Sequence, residues 1–197
     1  MLMRGGDNMM NKVKRLLGGE KLAGGLVLCF LILLIVGCAT AQKEFDPNIR
    51  GPQLIAEPDE IRLGVARVMG MEIVFKGKGF QPGDSVFVSL LEVRKGEEVV
   101  DIPMADGEVD RDGYFKAEVG KLAKISELLR ADIGENEKLE TIIIVTQPPI
   151  PEGEYTARAV SMESDKTAEC QVVLKGPSIL DRCKDWMGKV FGKIVKK

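Results

Sequence analysis

Fifteen consecutive residues, Leu22–Val36 (LAGGLVLCFLILLIV), carry no charge. Lys12, Lys14, Arg15 and Lys21 precede them. A basic flank followed by a short apolar core is the pattern of an export signal. Counted on through Gly37, Cys38 and Ala39, the apolar run reaches eighteen residues, the short end of a membrane span. An uncleaved anchor is therefore the competing reading of residues 22–39. Both readings place the remainder of the chain outside the cytoplasm, because Lys and Arg stay on the inner side.

Charge divides the chain in the same way. Residues 1–37 carry a net +3 and residues 181–197 a net +4, which leaves −9 on residues 38–180 out of the total of −2. An acidic body of that sign is repelled by phosphate backbones, so nucleic acid is set aside as a partner. The chain has no histidine. This removes the commonest general base, the commonest zinc ligand and the usual activator of a Ser or Cys nucleophile. No cofactor is expected, and the chain is expected not to be an enzyme.

The apolar segment ends in Ile35-Val36-Gly37-Cys38-Ala39. These residues resemble the lipobox of bacterial lipoproteins. The resemblance implies cleavage after Gly37, which makes residues 1–37 a signal peptide, and acylation of Cys38 as the first mature residue. It also implies a cell-envelope location, lipid-anchored. Ala39 rather than Asp after the Cys favours the outer membrane, with the body facing periplasm or cell surface. Acyl chains contribute ~0.8 kcal/mol per buried CH₂, so two or three of them hold a protein durably.

Residues 38–58 are polar, with three prolines and no periodicity, and read as a tether. Period-two alternation follows. A first strand is expected over Ile61–Val65. Met71, Ile73 and Phe75 mark a second, and Val86, Val88 and Leu90 a third. Val99–Pro103 reads as another extended piece, and Val109–Phe115 as strand, tight turn, strand. Tyr155, Ala157 and Ala159, then Ala168, Cys170, Val172 and Leu174, supply the last two strands. Lys121–Asp132 instead spaces Leu122, Ile125, Leu128 and Leu129 as a helix would, with Gly134 as its stop. Thr141–Val145 (TIIIV) suits a strand buried on both faces. The expected fold is mainly β, a β-sandwich over residues 59–176 with one inserted short helix.

Gly77, Gly79, Phe80, Pro82 and Gly83, with Gly113, Phe115, Pro151, Gly153 and Tyr155, resemble the turn and core positions of immunoglobulin-like domains of the IPT/TIG kind. The resemblance implies an immunoglobulin-like sandwich. It speaks for fold and hardly for activity.

Three further features bear on chemistry. Glu108, Asp110 and Asp112 alternate ahead of Gly113, as in a calcium loop. The closing acid of such a loop falls at Val119, and an Asp/Gly-rich hairpin turn explains the same residues. Cys170 and Cys183 remain after processing and either pair or stay free. Finally, residues 177–197 read as a basic amphipathic helix, opened by Ser178 with Asp181 three residues on. Ile179, Leu180, Cys183, Met187, Val190, Phe191, Ile194 and Val195 fall on one face, with Trp186 beside them. Trp186, Lys189, Phe191, Lys193, Lys196 and Lys197 are the residues expected to contact a membrane or a partner. The same helix lying over an open face of the sandwich, its lysines solvated, is the alternative.

These features lead to an expected role as a membrane-anchored envelope lipoprotein with a non-catalytic binding or scaffolding sandwich. It meets the membrane through acylated Cys38 and an envelope protein or glycan through its surface. A carbohydrate- or surface-binding module, calcium-assisted or not, is the alternative, with Tyr114 as the exposed aromatic outside the tail. A carboxylate-type hydrolase comes third, and would need two acids facing one cleft.

Overall fold

The computed structural model describes residues 43–196. Gly37, Cys38 and Lys197 lie outside them, as does the whole apolar segment. The described chain is mainly β, as the alternation predicts. Its strands are β1 (Gln53–Glu57), β2 (Glu60–Arg62), β3 (Val74–Lys78), β4 (Ser85–Lys95), β5 (Glu98–Glu108), β6 (Tyr114–Glu118), β7 (Ala131–Glu135), β8 (Thr141–Val145), β9 (Gly153–Ser161), β10 (Thr167–Lys175) and β11 (Ile194–Lys196). Three helices interrupt them: α1 (Val65–Gly70), α2 (Lys121–Ala123), which runs on into a π-helical turn (Lys124–Leu128), and α3 (Ile179–Val190).

A three-stranded sheet of order β1-β3-β6 and a five-stranded sheet of order β2-β10-β9-β4-β5 enclose the core. Leu54, Phe75, Phe115 and Ala117 from the first sheet share one apolar cluster with Val88, Leu90, Ile102, Ala159, Val172 and Leu174 from the second. Pairing is antiparallel throughout the two sheets except at β2, which runs parallel to β10. In β4 the inward set Val86, Val88, Leu90 resumes at Val93 rather than at residue 92, because the register against β5 shifts there. Glu92 takes the left-handed conformation (φ 54°) and its N–H donates to Asp101 Oδ1 at 2.9 Å. The bulge thus restores inward alternation on an eleven-residue strand.

A third sheet, β11-β8-β7, lies in the insertion between β6 and β9 and includes the end of the chain. β7 and β8 form an antiparallel hairpin, and β11 joins it parallel to β8, with Ile194 opposite Ile143.

The structure corrects several boundaries. Gln53–Glu57, inside the stretch read as tether, is strand β1 and pairs with β3. The first expected strand stops at Arg62, and Val65 instead opens α1. The helix expected over Lys121–Asp132 ends at Leu128. Arg130 is left-handed (φ 50°), which breaks a helix of L residues, and Ala131 begins β7. Gly134 is a strand residue there, where a Cβ would meet Ile144 Cδ1 at 2.6 Å. In β8 only Ile142 is buried, so TIIIV is half-covered rather than enclosed on both faces. Val109–Phe115 is a turn, but it joins two sheets: β5 belongs to the five-stranded sheet and β6 to the three-stranded one. The tail is not one helix over 177–197. α3 stops at Val190, and Ile194–Lys196 is a strand.

Candidate functional site

The tail is where sequence and structure meet most informatively. Ser178 caps α3: its Oγ accepts from Asp181 N–H at 3.2 Å, and the Asp181 carboxylate accepts from Ser178 N–H at 2.9 Å. This is the reciprocal capping box that the spacing predicts. Bonds from the Ser178 side chain and backbone hold the Asp181 carboxyl below its ordinary pKa against the effect of burial.

The other end stops for a local reason. Gly192 is left-handed (φ 68°), Gly192 N–H donates to Lys189 C=O at 3.0 Å, and Lys193 N–H to Gly188 C=O at 2.9 Å. This pair of bonds is a Schellman closure, for which glycine is the residue of least cost. The chain then folds back so that a Cβ on Gly188 would lie 2.6 Å from Ile194 Cδ1.

Between these ends α3 docks through its acidic side. The Asp185 carboxylate accepts from Val65 N–H at 3.1 Å and from Ala66 N–H at 2.8 Å. Those are amides in the first turn of α1, which lack helical partners of their own. Gly64, just before them, sits so close to Asp181 that a Cβ would lie 2.8 Å from the Asp181 Cβ. Asp181 is buried, and Asp185 and Gly188 are half-covered; the other residues of α3 are exposed.

The apolar side therefore points away from the body. Helical spacing sets Ile179, Cys183, Trp186 and Val190 opposite Asp181, Asp185 and Gly188, with Leu180, Met187 and Phe191 on the adjoining flank. Exposure runs from 45% for Met187 to 80% for Ile179. Contiguous apolar surface of this kind marks an interaction site. Its borders are basic: Arg182 and Lys189 on one flank, Lys184 on the other, and Lys193 just beyond, all exposed. Lys196 is exposed at the end of β11, and Lys197 is outside the described residues. Val190 and Phe191 also line a shallow cavity with Asn136, Glu137, Lys138 and Glu140 at the tip of the β7–β8 hairpin. Next to them in that tip, Leu139 is 80% exposed. Among the described residues no helix is long and apolar enough to cross a membrane.

The remaining candidates fall out differently. Asp110 Oδ1 accepts from Asp112 N–H and Tyr114 N–H, both at 2.9 Å, so its carboxylate is spent on the turn. Glu108 ends β5, and no three potential ligands converge among the described residues. Cys170 and Cys183 are both free. Cys170 is half-buried on β10, where burial pushes its thiol pKa up to about 11. Cys183 is exposed on the side of α3 that faces away from the body, which separates the two thiols. Tyr114 is not a free platform: Phe45 meets its ring edge-on at 6.1 Å, and Lys78 Nζ lies 5.8 Å from its centre.

Ser161 and Ser164 both bond a carboxylate. Asp84 is buried at the start of β4 and accepts from both hydroxyls and from the N–H groups of Glu163 and Ser164. Burial alone would raise its pKa. The bonds from Ser161, Ser164 and Glu163 outweigh that and hold it well below the ordinary value. The cluster fastens the β9–β10 turn to β4.

No family model and no curated protein matches the chain. Among solved structures it is similar to a β-glucosidase from Listeria innocua in complex with glucose, at 12% identity and a TM-score of 0.34. The likeness covers 70% of this chain and spans 20% of that one, too slight to bear on activity.

Proposed function

We propose that the chain is a membrane-anchored envelope lipoprotein whose β-sandwich is a non-catalytic binding or scaffolding module. One observation carries the binding half of this reading. α3 spends its polar side on the body, through Asp181 and Asp185, and leaves its apolar side free. A chain that hides charge and displays Trp186 and Phe191 is arranged to be docked upon. The anchoring half rests on Ile35-Val36-Gly37-Cys38-Ala39, and the fourteen residues between Cys38 and Gln53 supply the link to the first strand.

The finer fold reading is immunoglobulin-like. Two features support it. A three-stranded and a five-stranded sheet face each other, with short β2 parallel to β10 at the edge of the larger. Near the start of β9, Tyr155 Oη donates to Pro151 C=O at 2.9 Å, the geometry of a tyrosine corner. Cell-surface sandwiches of this type present binding surfaces, which agrees with the role proposed.

Mass spectrometry of the mature protein, recovered by membrane fractionation, tests the anchor. Acyl groups on a chain beginning at Cys38, in the outer-membrane fraction, are the expected result. An unmodified chain of full mass in the cytosol contradicts it.

A further inference from the structure

We infer that the free face of α3 rests on the anionic surface of the membrane that holds the protein, giving the body a second, orienting contact. The inference deepens the proposed function and rests on its placement of the body beside a bilayer.

Three observations favour a lipid surface over other occupants. The first is chemical. The face is a stripe of Ile179, Leu180, Trp186, Met187, Val190 and Phe191, and amphipathic helices with aromatic and aliphatic faces settle at the headgroup boundary. The second is charge. Both acids of α3 are turned to the body, so the ions that α3 itself sets beside the free face are the cations Arg182, Lys184 and Lys189, while Glu137, Lys138 and Glu140 of the hairpin tip adjoin only its Val190–Phe191 end. The body carries −9 and the last seventeen residues +4, so an anionic surface attracts the tail while repelling the body. That polarity sets an orientation as well as an affinity. A second copy of this chain is disfavoured by the same cations: a two-fold interface through this face sets like charges against like.

The third is reach. Lys43 pairs with Asp59 and Phe45 rests on Tyr114, so only residues 39–42 separate Cys38 from chain held on the body, a reach of at most about 18 Å. A body tethered on that scale meets the bilayer at high effective concentration, so a weak interfacial helix suffices.

Trp186 is the chain's one tryptophan and reports its own surroundings. The mature protein, extracted in detergent, is reconstituted into vesicles of phosphatidylcholine alone and of phosphatidylcholine with phosphatidylglycerol, each with and without brominated acyl chains. Expected is a blue shift of emission and loss of most of it to bromine in the phosphatidylglycerol vesicles. The effect should be smaller in phosphatidylcholine alone and weakened by salt. Met187→Glu with Val190→Glu should abolish shift and quenching while circular dichroism and Tm stay unchanged, since both side chains are exposed. Arg182→Gln with Lys184→Gln and Lys189→Gln should erase the preference for phosphatidylglycerol.

Wild-type emission that stays red and unquenched in both vesicles overturns the inference. So does a blue emission already present at micromolar protein without vesicles, with a dimer in sedimentation, which assigns the face to a second copy. Quenching that survives the double Glu substitution also overturns it. Mass measurement of the same sample separates the two proposals. An acylated chain with unquenched Trp186 leaves the anchor standing and removes the helix contact. A chain without acyl groups but with quenched Trp186 does the reverse.

Discussion

β4 and α3 are both amphipathic, and they face opposite ways. β4 turns Val86, Val88, Leu90 and Val93 into the core and its polar residues outward. α3 turns Asp181 and Asp185 inward and its apolar residues outward. Periodicity announces that an element has an apolar side. What that side meets is decided elsewhere in the chain. For β4 the partners are other strands that also need cover. For α3 they are two backbone N–H groups at the start of α1, about 120 residues away in sequence, which an acid satisfies and an aliphatic side chain does not.

The contrast yields predictions of graded size. The largest effect belongs to the core. Phe75→Ala empties a site of zero exposure, and should cost about 3–5 kcal/mol in denaturant unfolding. Next comes the docking contact. Asp185→Ala strips Val65 and Ala66 N–H of their acceptor, and should cost about 1–3 kcal/mol. Hydrogen exchange should then accelerate in α1 and α3 and stay unchanged in β4 and β9. An equal rise everywhere would deny α3 its separate attachment.

Acid should act on the clamps before neutral pH matters. The folded pKa values of Asp84 and Asp181 lie below the ordinary 3.8. Their stabilisation is complete above that value and lost as pH falls below it towards the folded values. Unfolding midpoints should therefore hold between neutral pH and about 5 and drop below about 4. Asp84→Asn should flatten that drop. The smallest effect belongs to the free face: Val190→Ser should shift stability by no more than about 0.5 kcal/mol, because no core loses cover there.

Much of this was legible residue by residue, and the failures share a cause. Alternation placed the inward sets of β4, β9 and β10, and Ser178 with Asp181 announced the start of α3. These are local signals. Ile194 and Val195 continued the helical period, yet Gly192 closed the helix and β8 took them as a strand partner. Leu63 and Val65 continued a strand, yet Val65 opens α1 with its N–H bonded to Asp185 of α3. In both places a partner far along the chain overrode the local pattern. For the candidate site the sequence supplied the residues of the face and left its direction open, because no spacing within 177–197 shows that Asp185 reaches α1.

Thiol labelling tests that direction most directly. The described residues belong to one compact unit, so a chain beginning at Lys43 isolates it. A small maleimide at neutral pH should modify Cys183 about as fast as an unfolded thiol. Cys170, half-buried and with its pKa raised to about 11, should react far more slowly until denaturant is added. Two equally protected thiols, or a Cys170–Cys183 disulfide in the mass spectrum, would mean that α3 packs its apolar side against the body, contrary to the arrangement described.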